Sequence, residues 1–137
     1  MEIRVEVENR PSEYGPARDQ ILGLFRTAGL TDDTLSELEL ILEEVLVNII
    51  SYAYDVEGAG TIRVLAAVDH EKVRLEFRDS GAAFNPLDQA LPDLDAEIDD
   101  RPIGGLGIFL VNQLATSVVY ERRGAENVLT VERDLGG

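Results

Sequence analysis

Three short blocks of this chain carry residues that could do chemistry, and the first is Glu44-Val45-Leu46-Val47-Asn48. Residues four apart on a helix are neighbours, so a helical Glu44 and Asn48 form a polar pair. At about 100° per residue both sit at the edge of the apolar stripe, beside Ile41 and Tyr52. The amide oxygen of Asn48 is a neutral, hard ligand suited to Mg²⁺ alongside phosphate oxygens. Glu44 could take a proton from an attacking hydroxyl or water. Taken alone, the pair reads more plainly as a solvated Glu–Asn face.

The second block is Asp79-Ser80-Gly81, at the end of an expected strand. A carboxylate there could accept a hydrogen bond from the exocyclic amine of adenine, and Gly81 lets the backbone pass close to a flat ring. An ordinary Asp-Ser-Gly turn is the plainer alternative. The third block, Gly104-Gly105-Leu106-Gly107, leads into a helix. Unpaired N–H groups at a helix start, reached through glycines, suit phosphate; a hinge plus a helix cap is the competing reading. It is not the dinucleotide fingerprint, since no strand precedes it and Leu110 stands at the last glycine position. Nor is it a P-loop, because the chain's one lysine is Lys72.

The elements that must position these blocks follow from periodicity. Residues 2–8 alternate strictly, as a half-buried strand does. Tyr14 to Ala28 reads as a helix closed by Gly29. Asp32 to Tyr54 reads as the longest helix, capped by Thr31 or Asp32, with a stripe of Leu35, Leu38, Leu42, Val45 and Ile49. Val47 and Ile50 lie on its other faces, so it is either covered on two sides or offers a surface to a partner. Thr61–Val68 and Lys72–Asp79 read as a hairpin, with His70, the only histidine, a surface turn residue. A long acidic loop spans Ser80 to Ile103, with a short helix possible over Leu87–Leu94; loops this long are functional lids or disordered segments. Ile108–Ala115 reads as a helix, and Ser117–Arg123 and Asn127–Arg133 as closing strands. This order favours an α+β fold, a two-layer sandwich with a mixed, mainly antiparallel sheet and helices on one face.

Composition narrows the classes. The 137 residues suit one domain, 1–137. There is no cysteine, which removes thiol catalysis, zinc–thiolate sites and disulfides together. No signal peptide is read at the N-terminus and no run approaches the roughly 20 apolar residues of a membrane span, so a cytoplasmic protein is expected. Net charge is −15, from 27 acids and 12 bases. That repels phosphate backbones and anionic membranes, and a basic protein partner would be attracted.

Taken in order, the blocks Glu44–Tyr54, Asp79–Pro86 and Ile103–Val111 resemble the ATP-binding domains of the gyrase and histidine-kinase superfamily, the Bergerat fold. Within it the chain is most similar to the small bacterial anti-sigma factor serine kinases. The resemblance covers nearly the whole chain. It implies that Glu44 is the catalytic base, Asn48 ligates Mg²⁺, Asp79 binds adenine and Gly81 lies beneath the ring. It implies that Gly104, Gly105, Leu106 and Gly107 meet the phosphates of ATP, and that residues 80–103 form a lid with Arg101 its only cation. The partners it implies are a sigma factor or similar regulator, an antagonist protein bearing a phosphorylatable serine, and a second copy in a homodimer. A nucleotide-binding module that acts only by docking is the alternative, motivated by the six lid acids Asp88, Asp93, Asp95, Glu97, Asp99 and Asp100. A complete histidine kinase is not expected, since no phosphoacceptor helix domain is present.

Overall fold

The computed structural model describes residues 1–83 and 105–135, with backbone alone for 105–109. The expected lid therefore lies outside the described residues beyond Ala83, as do Arg101, Gly104 and the short helix expected over 87–94.

The described strands are β1 (Glu2–Glu8), β2 (Thr61–Val68), β3 (Lys72–Asp79), β4 (Ser117–Arg123) and β5 (Glu126–Asp134). They form one sheet in the order β1-β2-β3-β5-β4, and every pairing is antiparallel. The helices are α1 (Tyr14–Thr27), preceded by a 3₁₀ turn at Pro11–Glu13, α2 (Asp32–Tyr52) and α3 (Gly105–Leu114). Chain order and spatial order part at β5, which enters between β3 and β4.

Period-two alternation puts Val5, Val7, Ile62, Val64, Val73, Leu75, Phe77, Leu129 and Val131 on one face of the sheet. All are buried in one core with Ile21, Leu22 and Phe25 of α1 and the apolar arc of α2. The opposite face carries Arg4, Glu6, Arg63 and Arg74 in solvent. Glu76 and Val128 are buried on this face, Glu76 being paired to Arg74 and Arg78 on either side.

Helix α2 is the spine of the site. Thr31 caps it, accepting a hydrogen bond from the Thr34 amide at 3.2 Å, and Asp32 and Asp33 oppose the positive end of the dipole. Its buried arc is broader than a single stripe: Leu38, Ile41, Leu42, Val45, Leu46, Asn48, Ile49 and Ile50 are all covered. The reason is that α2 shares the core with the inner face of the sheet and packs on α1 and α3 as well. Leu40 and Val47 stay about two-fifths exposed, at 42% and 40%. The pair Arg133–Glu37 ties α2 to β5. The helix ends at Tyr52, two residues earlier than the sequence suggests, because Tyr54 leaves it to bond elsewhere. Its ring lies over Gly60 and its hydroxyl donates to the Thr61 carbonyl at 3.1 Å.

In the β2–β3 turn Asp69 Oδ1 accepts from the Glu71 and Lys72 amides at 2.7 and 2.9 Å. Those bonds, Lys72's first, hold its carboxyl below the ordinary range. His70 is exposed in this turn, as expected.

Candidate functional site

The Glu44–Asn48 pair lies on α2 as the spacing demands, but its two members are not alike. Glu44 is half-buried, and burial, with Glu43 beside it, pushes its carboxyl above the ordinary range. A carboxylate that holds a proton more firmly is a better base at neutral pH. The same acidic stretch acts on α1: burial first, then Glu43, pushes the Tyr14 phenol up to about 12.

Asn48 is only 6% exposed, and among the described residues neither its Oδ1 nor its Nδ2 has a hydrogen-bond partner. Buried amides are almost always satisfied. An amide oxygen left open in this way has the donor chemistry that suits a hard cation. One residue further along, Ile49 and Ala53 form the row that packs toward Asp79 and Phe77.

Asp79 is 4% exposed and opens a loop whose polar groups are largely accounted for. The Gly81 amide donates to Asp79 Oδ1 at 2.9 Å, and the Ser80 amide donates to the Tyr54 hydroxyl at 2.8 Å. The Ala82 amide donates to the Ala53 carbonyl at 3.2 Å, so the loop is stitched to the C-terminal end of α2. Gly81 is where they touch: a Cβ there would lie 1.9 Å from the Ala53 oxygen. Glycine is required for this packing, independently of any ring above it.

Residues that sequence reasoning missed complete the loop. Asp79, Asn127 and Arg122 are cross-strand neighbours in one row over β3, β5 and β4. Asn127 is 4% exposed; its Nδ2 donates to Asp79 Oδ1 at 3.0 Å and to the Ala82 carbonyl at 2.8 Å. Its Oδ1 accepts from Arg122 at 3.1 Å and from the Tyr120 hydroxyl. Arg122 also donates to the Gly81 carbonyl at 2.9 Å. A cavity of about 10 Å³ reaches Asp79 and Asn127 from the apolar side, between Ile49, Ala53, Phe77 and Tyr120. It has room for about one water. A polar residue at an inward position of a strand was the available signal for Asn127, but its neighbours depend on strand order.

Helix α3 begins at Gly105 rather than at Ile108. Gly105, Leu106 and Gly107 are therefore inside its first turn, where amides have no intrahelical acceptor. Val111 is buried and packs α3 into the same core as α2. The described residues therefore include Glu44, Asn48, Asp79, Gly81 and the backbone of residues 105–107. Arg101 and Gly104 lie outside them.

Comparison with known proteins gives this arrangement its context. The chain is 32% identical over 94 residues to serine/threonine-protein kinase BtrW of Bordetella bronchiseptica, a match spanning 69% of this chain and 66% of that kinase. It is 24% identical over 133 residues to serine-protein kinase RsbW of Listeria monocytogenes, covering 93% and 85% of the two chains. Among solved structures, the kinase domain of a blue-light activated histidine kinase from Erythrobacter litoralis superimposes with a TM-score of 0.52 at 19% identity, over 74% of this chain and 45% of that one. That likeness is one of fold, and it agrees with a Bergerat-type layering of antiparallel sheet and helices. Residues 7–133 match the family model, and the chain belongs to the histidine kinase-like ATPase domain family.

Proposed function

We propose that this chain is an ATP-dependent protein-serine kinase of the anti-sigma type. It binds Mg-ATP between α2, the Asp79 loop and the start of α3, and transfers the γ-phosphoryl group to a serine of an antagonist protein. The observation that carries the reading is the buried, unpartnered amide of Asn48. Leaving such a group unbonded costs a few kcal/mol, which a ligand recovers by supplying the partner. Asn48 would hold Mg²⁺ through its amide oxygen, and the ion would supply charge neutralisation for phosphoryl transfer.

In this reading Asp79 accepts from the adenine amine, with the Gly81 backbone beside the ring. The first-turn amides of Gly105, Leu106 and Gly107 face the phosphates, joined on family resemblance by Gly104 and Arg101. Glu44 takes the proton of the serine hydroxyl as its oxygen bonds to the γ-phosphorus. The bond from that phosphorus to the bridging oxygen breaks, and ADP leaves. Relatives that are serine kinases support a protein serine as acceptor. Resemblance supports the rest: one domain over 1–137, a cytoplasmic homodimer, and a sigma factor or similar regulator held or released by the antagonist's phosphorylation state. None of the described helices is long and apolar enough to cross a membrane.

The test is calorimetric titration of ATP and ADP, with and without Mg²⁺, on the wild type, Asp79→Asn and Asn48→Ala, followed by transfer to purified antagonist. Loss of binding in Asp79→Asn, loss of Mg²⁺ dependence in Asn48→Ala and Glu44-dependent phosphorylation are expected. A wild type that binds neither nucleotide refutes the reading. Binding without transfer reduces the chain to a docking module.

A further inference from the structure

The hydrogen bonds around Asn127 carry more than packing, because two of its partners have a fixed chemical sense. A guanidinium only donates and a peptide carbonyl only accepts. The atom of Asn127 that faces Arg122 must therefore be its oxygen, and the atom that faces the Ala82 carbonyl must be its nitrogen. A flipped amide would set N–H against guanidinium on one side and oxygen against oxygen on the other. The orientation of this side chain, usually a matter of interpretation, is here dictated by Arg122 and the Ala82 carbonyl, with the Tyr120 hydroxyl as a second donor to the amide oxygen.

The consequence passes on to Asp79. With the amide so oriented, Nδ2–H points at Asp79 Oδ1, which also takes the Gly81 amide. Two N–H donors on one oxygen orient the carboxylate, and a carboxylate so held turns acceptor lone pairs toward whatever meets the loop. Acceptor character distinguishes purines by the group at position 6. An amine there donates to the carboxylate; a carbonyl there opposes it, lone pair against lone pair.

Resting on the ATP-binding reading above, we infer that Arg122 and Asn127 determine specificity for a 6-amino purine. Neither needs to touch the base. Arg122 sets the sense of Asn127, and Asn127 holds the orientation of Asp79. They are positioning residues, and the relay runs along one cross-strand row of the sheet, from the edge strand β4 through β5 to β3.

The test compares ATP with inosine triphosphate, which differs in carrying a carbonyl at position 6. Dissociation constants are measured for both on the wild type, Arg122→Met and Arg122→Lys. Arg122 is an exposed residue on an edge strand, so its variants retain the fold, which a melting curve verifies. The wild type should prefer ATP by about 100-fold or more, as sites built around a polar group reject the mismatched analogue strongly. Arg122→Met should cut that preference by about 10-fold, the worth of one hydrogen bond's geometry, and Arg122→Lys, which keeps an obligate donor, should restore most of it. Equal losses of both affinities in Arg122→Met, with the ratio unchanged, would mean a merely structural role and overturn the inference alone. A wild type that binds ATP and inosine triphosphate equally also overturns it. A wild type that binds neither removes the ATP-binding reading and this inference together.

Discussion

Replacing Asn48 with leucine tests the site through stability instead of activity. The amide is 6% exposed, with both polar atoms unpaired among the described residues. Each unsatisfied buried polar group costs about 1–3 kcal/mol, and a swap of similar volume in a core costs less than about 1.5 kcal/mol in repacking. Asn48→Leu should therefore be more stable than the wild type by about 1–3 kcal/mol in buffer free of nucleotide and Mg²⁺. For a domain of this size that raises Tm by about 4 °C per kcal/mol. The assay is urea unfolding followed by far-UV circular dichroism, with m-values compared so that a change in midpoint reads as stability. Mg-ATP at about 100 times its Kd should add about 2.7 kcal/mol to the wild type and little to the variant, so the gap closes or inverts. Greater stability without ligand, bought at the expense of binding, is what a functional orphan predicts. An Asn48→Leu protein less stable than the wild type without ligand, or equally stabilised by Mg-ATP, refutes the reasoning.

Other substitutions probe the remaining parts. Gly81→Ala drives a methyl into the Ala53 carbonyl; it should cost about 1–3 kcal/mol and weaken ATP binding, measured by urea unfolding and calorimetry. Glu44→Gln should abolish phosphoryl transfer while keeping ATP bound. Because burial and Glu43 raise the Glu44 carboxyl only in the folded state, its ionisation opposes folding at neutral pH. Glu44→Gln should then be the more stable protein at pH 7, and its advantage should vanish as pH falls below the ordinary carboxylate range, where both states are protonated. Asp69 behaves oppositely, its carboxyl being lowered by the Lys72 and Glu71 amides. Asp69→Ala should unfold at lower urea than the wild type at neutral pH, and the deficit should disappear as acid protonates Asp69 in the folded state. An Asp69→Ala deficit that persists at low pH would place the effect elsewhere in the turn.

Local signals located most of the elements. Alternation set β1, β2 and β3 to the residue, because a pleated strand with one wet face admits only one phase of side chains. The Thr31 cap and the spacing of apolar residues located α2, and a period of 3.6 made Glu44 and Asn48 neighbours before any tertiary contact was known. The start of α3 was read three residues late, because glycines favour loops in isolation while packing of Val111 into the core stabilises the helical turn before it. That Ile50 is covered while Val47 is not depended on where α1 and α3 lie against α2.

What the sequence determined by itself is whatever a residue and its near neighbours along the chain can decide: periodicity, caps, turns, and the pairing of Glu44 with Asn48. The order of blocks added the family, since three weak signals in fixed succession are far more specific than any one. Tertiary structure alone decided which polar groups would be satisfied. Asn48 is buried without a partner among the described residues, and Gly81 is obligatory because α2 ends against the Asp79 loop. Asn127 and Arg122 join Asp79 only because β5 inserts between β3 and β4. Arg122 and Asn127 face each other across one hairpin, but Asp79 lies more than forty residues before them and beside them in the sheet, and a hydrogen bond depends on separation in space, to which separation along the chain is no guide.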